Sequence, residues 1–150
     1  RVLTQFVSNI IHGKDIQLVD GGLQRRSFTY IDDGIDALMR IIENKDGCAD
    51  ARIFNIGNPK NDVSVRELAE TVLRLVASYP KYAQLAKKVK LVHVDAGNYY
   101  GKGYQDIMTR VPSIKNAESH LGWKPKTDLE TALRKTLDYH LNPAIERLAG

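Results

Sequence analysis

Short β-rich runs alternate with helix-period apolar stripes along this sequence, and that alternation narrows its fold more than any other feature. Val2, Leu3, Phe6, Val7, Ile10 and Ile11 share one helical face over residues 2–12, and Gly13 ends it. Ile16–Val19 is a β-rich run closed by the turn Asp20-Gly21-Gly22. Residues 26–31 alternate as a strand, after which Asp32 or Asp33 offers a cap for a helix with the stripe Ile35, Leu38, Met39 and Ile42. Residues 53–56 read as a further strand, stopped by Gly57-Asn58-Pro59. Ser64 and Glu67 form a capping box ahead of a helix carrying Leu68, Ala69, Val72, Leu75 and Val76. Residues 89–94 alternate as a strand, and Pro112-Ser113 starts a short helix that ends near Gly122. After the turn Trp123-Lys124-Pro125, Thr127 and Glu130 form a second capping box before Leu129, Ala132, Leu133 and Leu137. Strands and helices in alternation predict the α/β class, and 150 residues fit one domain. The chain opens on Arg1-Val2-Leu3, without Met and without a helix-entry signal, so the expectation is an internal piece of a longer chain.

Composition removes several function classes. A hydrophobic share of 43% and a charged share of 27% are ordinary for a globular protein. No apolar run reaches bilayer length, so no membrane partner is expected. Cys48 is the single cysteine, which rules out an intrachain disulfide and a thiolate metal site and fits a reducing, cytoplasmic setting. His12, His93, His120 and His140 lack zinc-ligand spacing, so no metal site is expected. The net charge of +4 allows an anionic partner. Yet the densest basic cluster, Lys81, Lys87, Lys88 and Lys90, has Tyr79 and Tyr82 ahead of it rather than interleaved. It reads as a solvated face, and no nucleic-acid partner is expected.

Two stretches look like sites. The first is Asn98-Tyr99-Tyr100-Gly101-Lys102-Gly103-Tyr104, followed by Arg110. A dinucleotide loop needs a third glycine where Asp106 stands, and a Walker loop needs Ser or Thr where Gly103 stands. Both phosphate-loop readings fail. A mobile surface turn remains open, against which stand three amphipathic tyrosines that need something to pack on. Arg110 supplies a planar fork suited to carboxylate or phosphate. The second stretch is Gln24-Arg25-Arg26-Ser27-Phe28. In a strand, Arg26 and Phe28 face one side and Arg25 and Ser27 the other. One arginine can face a ligand, or both can be solvated.

Taken together, four stretches resemble the C-terminal half of the extended short-chain dehydrogenase/reductase family that acts on nucleotide sugars. They are RVLTQFVSNIIHGKDIQLVDGG, QRRSFTYIDDGIDAL, FNIGNP with SVRELAE, and PSIKNAESHLGWKPKTDLETALRKTLDYH, in order and across nearly the whole chain. YYGKGYQD with Arg110 behind it is similar to the UDP-glucuronic acid decarboxylases of the aminoarabinose pathway, which modifies lipid A and confers polymyxin resistance. Ser113 stands where many relatives have Asp.

The resemblance implies an α/β fold in which residues 1–150 form the substrate-binding C-terminal portion, including the last strands and helices of a Rossmann-type domain. It implies Arg26 at the UDP diphosphate, Arg1 and Val2 at the uridine, Tyr104 on the nucleotide-sugar and Arg110 as the catalytic residue at the sugar. Arg110 suits holding a carboxylate or a developing enolate better than giving up a proton, because its pKa lies above about 12. It implies NAD as cofactor, bound mainly by residues outside this sequence, UDP-glucuronic acid as substrate and a homo-oligomer. The glycine-rich turn, the Tyr-x-x-x-Lys pair and the active-site Ser/Thr and Glu of the family have no counterpart in these residues, so this segment alone is expected to be inactive. Neighbouring activities share the same signature: a UDP-xylose-forming decarboxylase, a 4-epimerase or a 4,6-dehydratase. A non-catalytic nucleotide or polyanion-binding module is the alternative outside enzymes.

Overall fold

The structure is a computed structural model that describes residues 2–101 and 106–142, and for Asn98 and Tyr100 the backbone alone. In chain order its elements are α1 (Val2–Ile11), β1 (Ile16–Val19), β2 (Arg25–Ser27), α2 (Ile31–Glu43), β3 (Asp62–Ser64) and α3 (Val65–Val76). They continue as α4 (Ala83–Lys88), β4 (Leu91–Val94), α5 (Ala96–Tyr100), β5 (Thr109–Arg110), α6 (Lys115–Leu121) and α7 (Leu129–Leu141). The class is α/β, as the alternation predicts. β1 and β4 pair in parallel with Ile16 opposite Leu91 and Val19 opposite Val94, and a second sheet has the order β3-β2-β5. Among the described residues no helix is long and apolar enough to cross a membrane.

The chain forms two compact units. The first comprises residues 1–25, 63–108 and 133–150, and the second residues 26–62 and 109–132. In the first, α1, α3 and α4 pack on one another, and α1 and α3 also pack on β1. The α3 stripe is buried as the periodicity predicts, at Leu68, Ala69, Val72, Leu75 and Val76, whereas on α1 Phe6 and Ile10 are buried and Val2, Leu3, Val7 and Ile11 only half-buried. Ile16 and Leu18, on one face of β1, are fully buried. The capping box that opens α3 is formed, with Ser64 Oγ accepting from the Glu67 N–H and the Glu67 carboxylate accepting from the Ser64 N–H.

The second unit has fully buried Trp123 at its centre, clustered with buried Ala37, Ala117 and Leu121 and lined by Ile41, Phe54, Ile56 and Ile114. The indole Nε1 donates to the Asp33 carbonyl at 3.0 Å. Several expectations change here. The strand expected over 26–31 is only β2, because α2 already begins at Ile31. Asp33 therefore lies inside the helix and does not cap it. Its buried carboxylate instead accepts the N–H groups of Lys126 and Thr127 at 3.2 and 3.0 Å. The α2 stripe is not covered: Ile35, Leu38, Met39 and Ile42 are all exposed, while Ala37 is buried. Residues 53–56 form neither helix nor strand and join neither sheet among the described residues. Their side chains still alternate, Phe54 and Ile56 inward and Ile53 outward. The strand expected over 89–94 is confined to β4, and α6 starts at Lys115. At α7 the expected cap shifts by one residue, since Asp128 rather than Thr127 accepts from the Thr131 N–H at 2.9 Å. That bond, joined by the Thr131 hydroxyl, holds the Asp128 carboxyl below its usual range.

Candidate functional site

The turn ahead of β2 is built from three successive left-handed residues, Asp20, Gly21 and Gly22, with φ of 47°, 74° and 72°. Glycine suits the last of these on two counts. A Cβ at Gly22 would meet the backbone nitrogen of Arg66 at 3.0 Å, and the positive φ would strain any other residue. Neighbouring chain fixes the turn. Arg66 Nε donates to the Gly21 carbonyl at 3.0 Å, and the Ala96 N–H donates to Asp20 Oδ1 at 3.0 Å. Buried Gln24 donates from Nε2 to the Val19 carbonyl at 3.2 Å and accepts from the Val65 N–H at 3.0 Å.

Arg25 and Arg26 then divide their duties. The Arg25 guanidinium lies 3.6 Å from Glu67, and the Arg25 main-chain N–H donates to the Met108 carbonyl at 2.6 Å. Glu67 is held below the usual carboxylate range chiefly by its hydrogen bonds to Ser64, with the charge of Arg25 a smaller contribution. Arg26 is half-buried on the next position of β2.

Beyond Arg26 the chain is clamped within the second unit. Ser27 Oγ donates to the Asn58 carbonyl at 2.6 Å. The Phe28 N–H donates to the Asn61 carbonyl at 3.2 Å, and Asn61 Nδ2 donates back to the Phe28 carbonyl at 3.1 Å. Asn61 Nδ2 and Asn58 Nδ2 also reach the Thr127 carbonyl, at 3.0 and 2.9 Å. Each asparagine is 3% exposed, so these bonds answer groups that burial would otherwise leave costly. The sequence signal for them is weak: Asn58 belongs to the strand stop Gly57-Asn58-Pro59, and Asn61 carries no signal.

Arg110 is exposed on β5, the strand hydrogen-bonded beside β2. The chain leaving it is supported by the same segment that clamps Phe28. Gly57 backs directly onto the Pro112 ring, where a Cβ would overlap Pro112 Cγ, and Asn55 Nδ2 donates to the Ser113 carbonyl at 3.3 Å. Of the five residues singled out in the sequence, Arg26 and Arg110 thus come together on adjacent strands. Val2 opens α1 in the first unit, half-buried. Arg1 and Tyr104 lie outside the described residues. Ahead of Tyr104, the tyrosine-rich stretch begins as the short helix α5, and Tyr99 finds a partner in Gln5, whose Nε2 donates to its hydroxyl at 3.1 Å.

The glycine pair Gly21-Gly22 joins two strands, whereas a dinucleotide diphosphate is cradled by a glycine-rich turn between a strand and a helix N-terminus. The Gly21-Gly22 turn therefore does not fit an NAD diphosphate. Among the described residues no group of three or more His, Cys, Asp or Glu is placed to hold a metal ion.

Residues 1–57 match the model of the NAD dependent epimerase/dehydratase family. The PbgP3 protein from Burkholderia pseudomallei has a crystal structure that superposes with a TM-score of 0.83 at 46% identity, over 97% of this chain and 40% of that one. UDP-glucose 4-epimerase from Thermotoga maritima, with UDP-glucose, gives 0.71 at 22% identity over 93% of this chain and 39% of that one. UDP-glucuronic acid 4-epimerase from Bacillus cereus, in complex with UDP-glucuronic acid and NAD, gives 0.71 at 20% identity over 99% and 40%. The fold is therefore the α/β fold of the short-chain dehydrogenase/reductase-type epimerases and dehydratases. This chain spans about 40% of the length of the structures it matches.

Proposed function

We propose that residues 1–150 are the C-terminal, nucleotide-sugar-holding portion of an NAD-dependent enzyme of the epimerase/dehydratase kind, and that the complete enzyme oxidatively decarboxylates UDP-glucuronic acid to a UDP-4-keto-pentose. The observation that carries this reading is the placement of Arg26 and Arg110 on hydrogen-bonded neighbouring strands. Arg25, by contrast, is drawn to Glu67. Two guanidinium groups on adjacent strands suit a substrate with negative charge at both ends, a diphosphate and a sugar carboxylate. In this reading Arg26 holds the diphosphate, with Val2 and Arg1 at the uridine and Tyr104 on the nucleotide-sugar. Arg110 holds the C6 carboxylate and then the enolate that develops as CO2 leaves, a role suited to a permanent cation. In this reading NAD is held by residues outside this chain.

The family match and the Bacillus cereus epimerase that binds UDP-glucuronic acid support the nucleotide-sugar class. The decarboxylase reading draws on the YYGKGYQD stretch and Arg110. The deciding experiment incubates the complete protein with UDP-glucuronic acid and NAD and follows CO2, NADH and the sugar product. CO2 release that Arg110→Ala lowers by about 100-fold or more supports the assignment, a typical loss for a group that stabilises developing charge. Turnover without CO2 makes it an epimerase or dehydratase. Near-normal CO2 release by the variant removes Arg110 from the chemistry.

A further inference from the structure

Arg26 and Arg110 sit on different strands, and one short segment supports both. We propose that residues 55–61 act as a jig that sets the spacing between the two arginines, with Gly57 and Asn61 as positioning residues for separate ends of the substrate. This rests on the roles proposed above for Arg26 and Arg110.

Asn61 serves the Arg26 side. Its carbonyl and its Nδ2 grip the two polar backbone groups of Phe28 at 3.2 and 3.1 Å, two residues past Arg26. Ser27 is tied to the Asn58 carbonyl at 2.6 Å. Gly57 serves the Arg110 side. Its missing side chain leaves room for the Pro112 ring, two residues past Arg110, and Asn55 ties down the Ser113 carbonyl. A proline ring cannot swing aside as a long side chain can, so a methyl group at 57 has to move the backbone leaving β5. Neither Gly57 nor Asn61 needs to touch the substrate. Each acts through the strand it supports, and a displacement of about 1 Å at a reacting group is enough to cost on the order of 100-fold in rate.

Because the two supports are separate, their loss should separate kinetically. In the complete enzyme, Gly57→Ala is expected to lower kcat at least 10-fold while the Kd for UDP changes less than 3-fold. Asn61→Ser is expected to weaken UDP binding about 10-fold with a smaller change in kcat. Adding Pro112→Ala to Gly57→Ala removes the overlapping Cγ and should restore kcat to within 3-fold of the Pro112→Ala variant alone. Thermal unfolding is measured beside each variant. A loss of folded protein lowers the active fraction without moving Kd, so kcat is taken per folded, UDP-binding molecule. If Gly57→Ala does not fold, the Asn61→Ser arm still decides the Arg26 half.

Two controls keep the underlying assignment apart from this one. Arg26→Ala should weaken UDP binding and Arg110→Ala should lower kcat. If either control fails, the proposed roles fall. If both controls behave while the Gly57 and Asn61 variants change Kd and kcat together, or neither, the jig is overturned. Failure of Pro112→Ala to rescue overturns its Gly57 half.

Discussion

Helices α2 and α3 look alike in the sequence and fare differently in the fold. Both carry an apolar stripe at helical spacing over 13 and 12 residues. The α3 stripe is fully buried, from Leu68 to Val76, whereas on α2 Ile35, Leu38, Met39 and Ile42 stay exposed at 48–73%. What α2 buries is its other face: Ala37 against Trp123, with Asp33 inserted between that helix and the turn at 126–127. A hydrophobic period states that a helix has an apolar side. It does not state that the partner for that side lies in the same stretch of chain.

The largest effect should come from the residue that organises the second unit. Trp123→Ala removes a fully buried indole and leaves the Asp33 carbonyl without its donor, and is expected to cost about 3–5 kcal/mol in urea unfolding. The comparison itself is tested by two leucines. Leu75→Ala on α3 should cost about 2–4 kcal/mol, and Leu38→Ala on α2 within about 0.5 kcal/mol. Equal losses would mean the α2 stripe is covered in solution, and the contrast would disappear. Ser64→Ala takes away the α3 cap and should cost about 1 kcal/mol, while Ile31, which opens α2 after Tyr30 with no side-chain cap, has no equivalent bond to lose.

The last expected effect is a pH dependence confined to the first unit. Burial, and then the hydrogen bond to Asp138 at 2.5 Å, push the Tyr79 phenol from 10.0 up to about 12. The unfolded chain releases that proton first, so the contribution is complete below about pH 10 and is lost as pH rises through about 12. Tyr79→Phe should flatten that decline, and an unchanged alkaline profile would remove Tyr79 as its source.

Much of the first unit was legible because its signals are local. The Ser64/Glu67 box, the α1 and α3 stripes and the Asp20-Gly21-Gly22 turn are each decided within a few residues. The second unit was less legible because its determinants are pairings across the sequence. Asp33 looks like a helix cap until its partners at 126 and 127 are known, and Asn61 carries no signal until Phe28 is beside it. Residues 53–56 have a strand's alternation, yet a strand is defined by a neighbour. The candidate site divides the same way. Arg26 and Arg110 were found through the resemblance and an argument about guanidinium chemistry, while Gly57 and Asn61, which hold their strands, carry no chemical signature of their own.

The unpaired segment at 53–56 also predicts a difference in exchange with solvent. Main-chain amides locked in a ladder exchange slowly, and those outside one exchange through small local openings. Deuterium should therefore enter residues 53–56 well before it enters β1, although Phe54 and Ile56 beside those amides rest against the Trp123 core. A backbone can thus be fast while the side chains it carries are still, and here the two would be found on the same four residues.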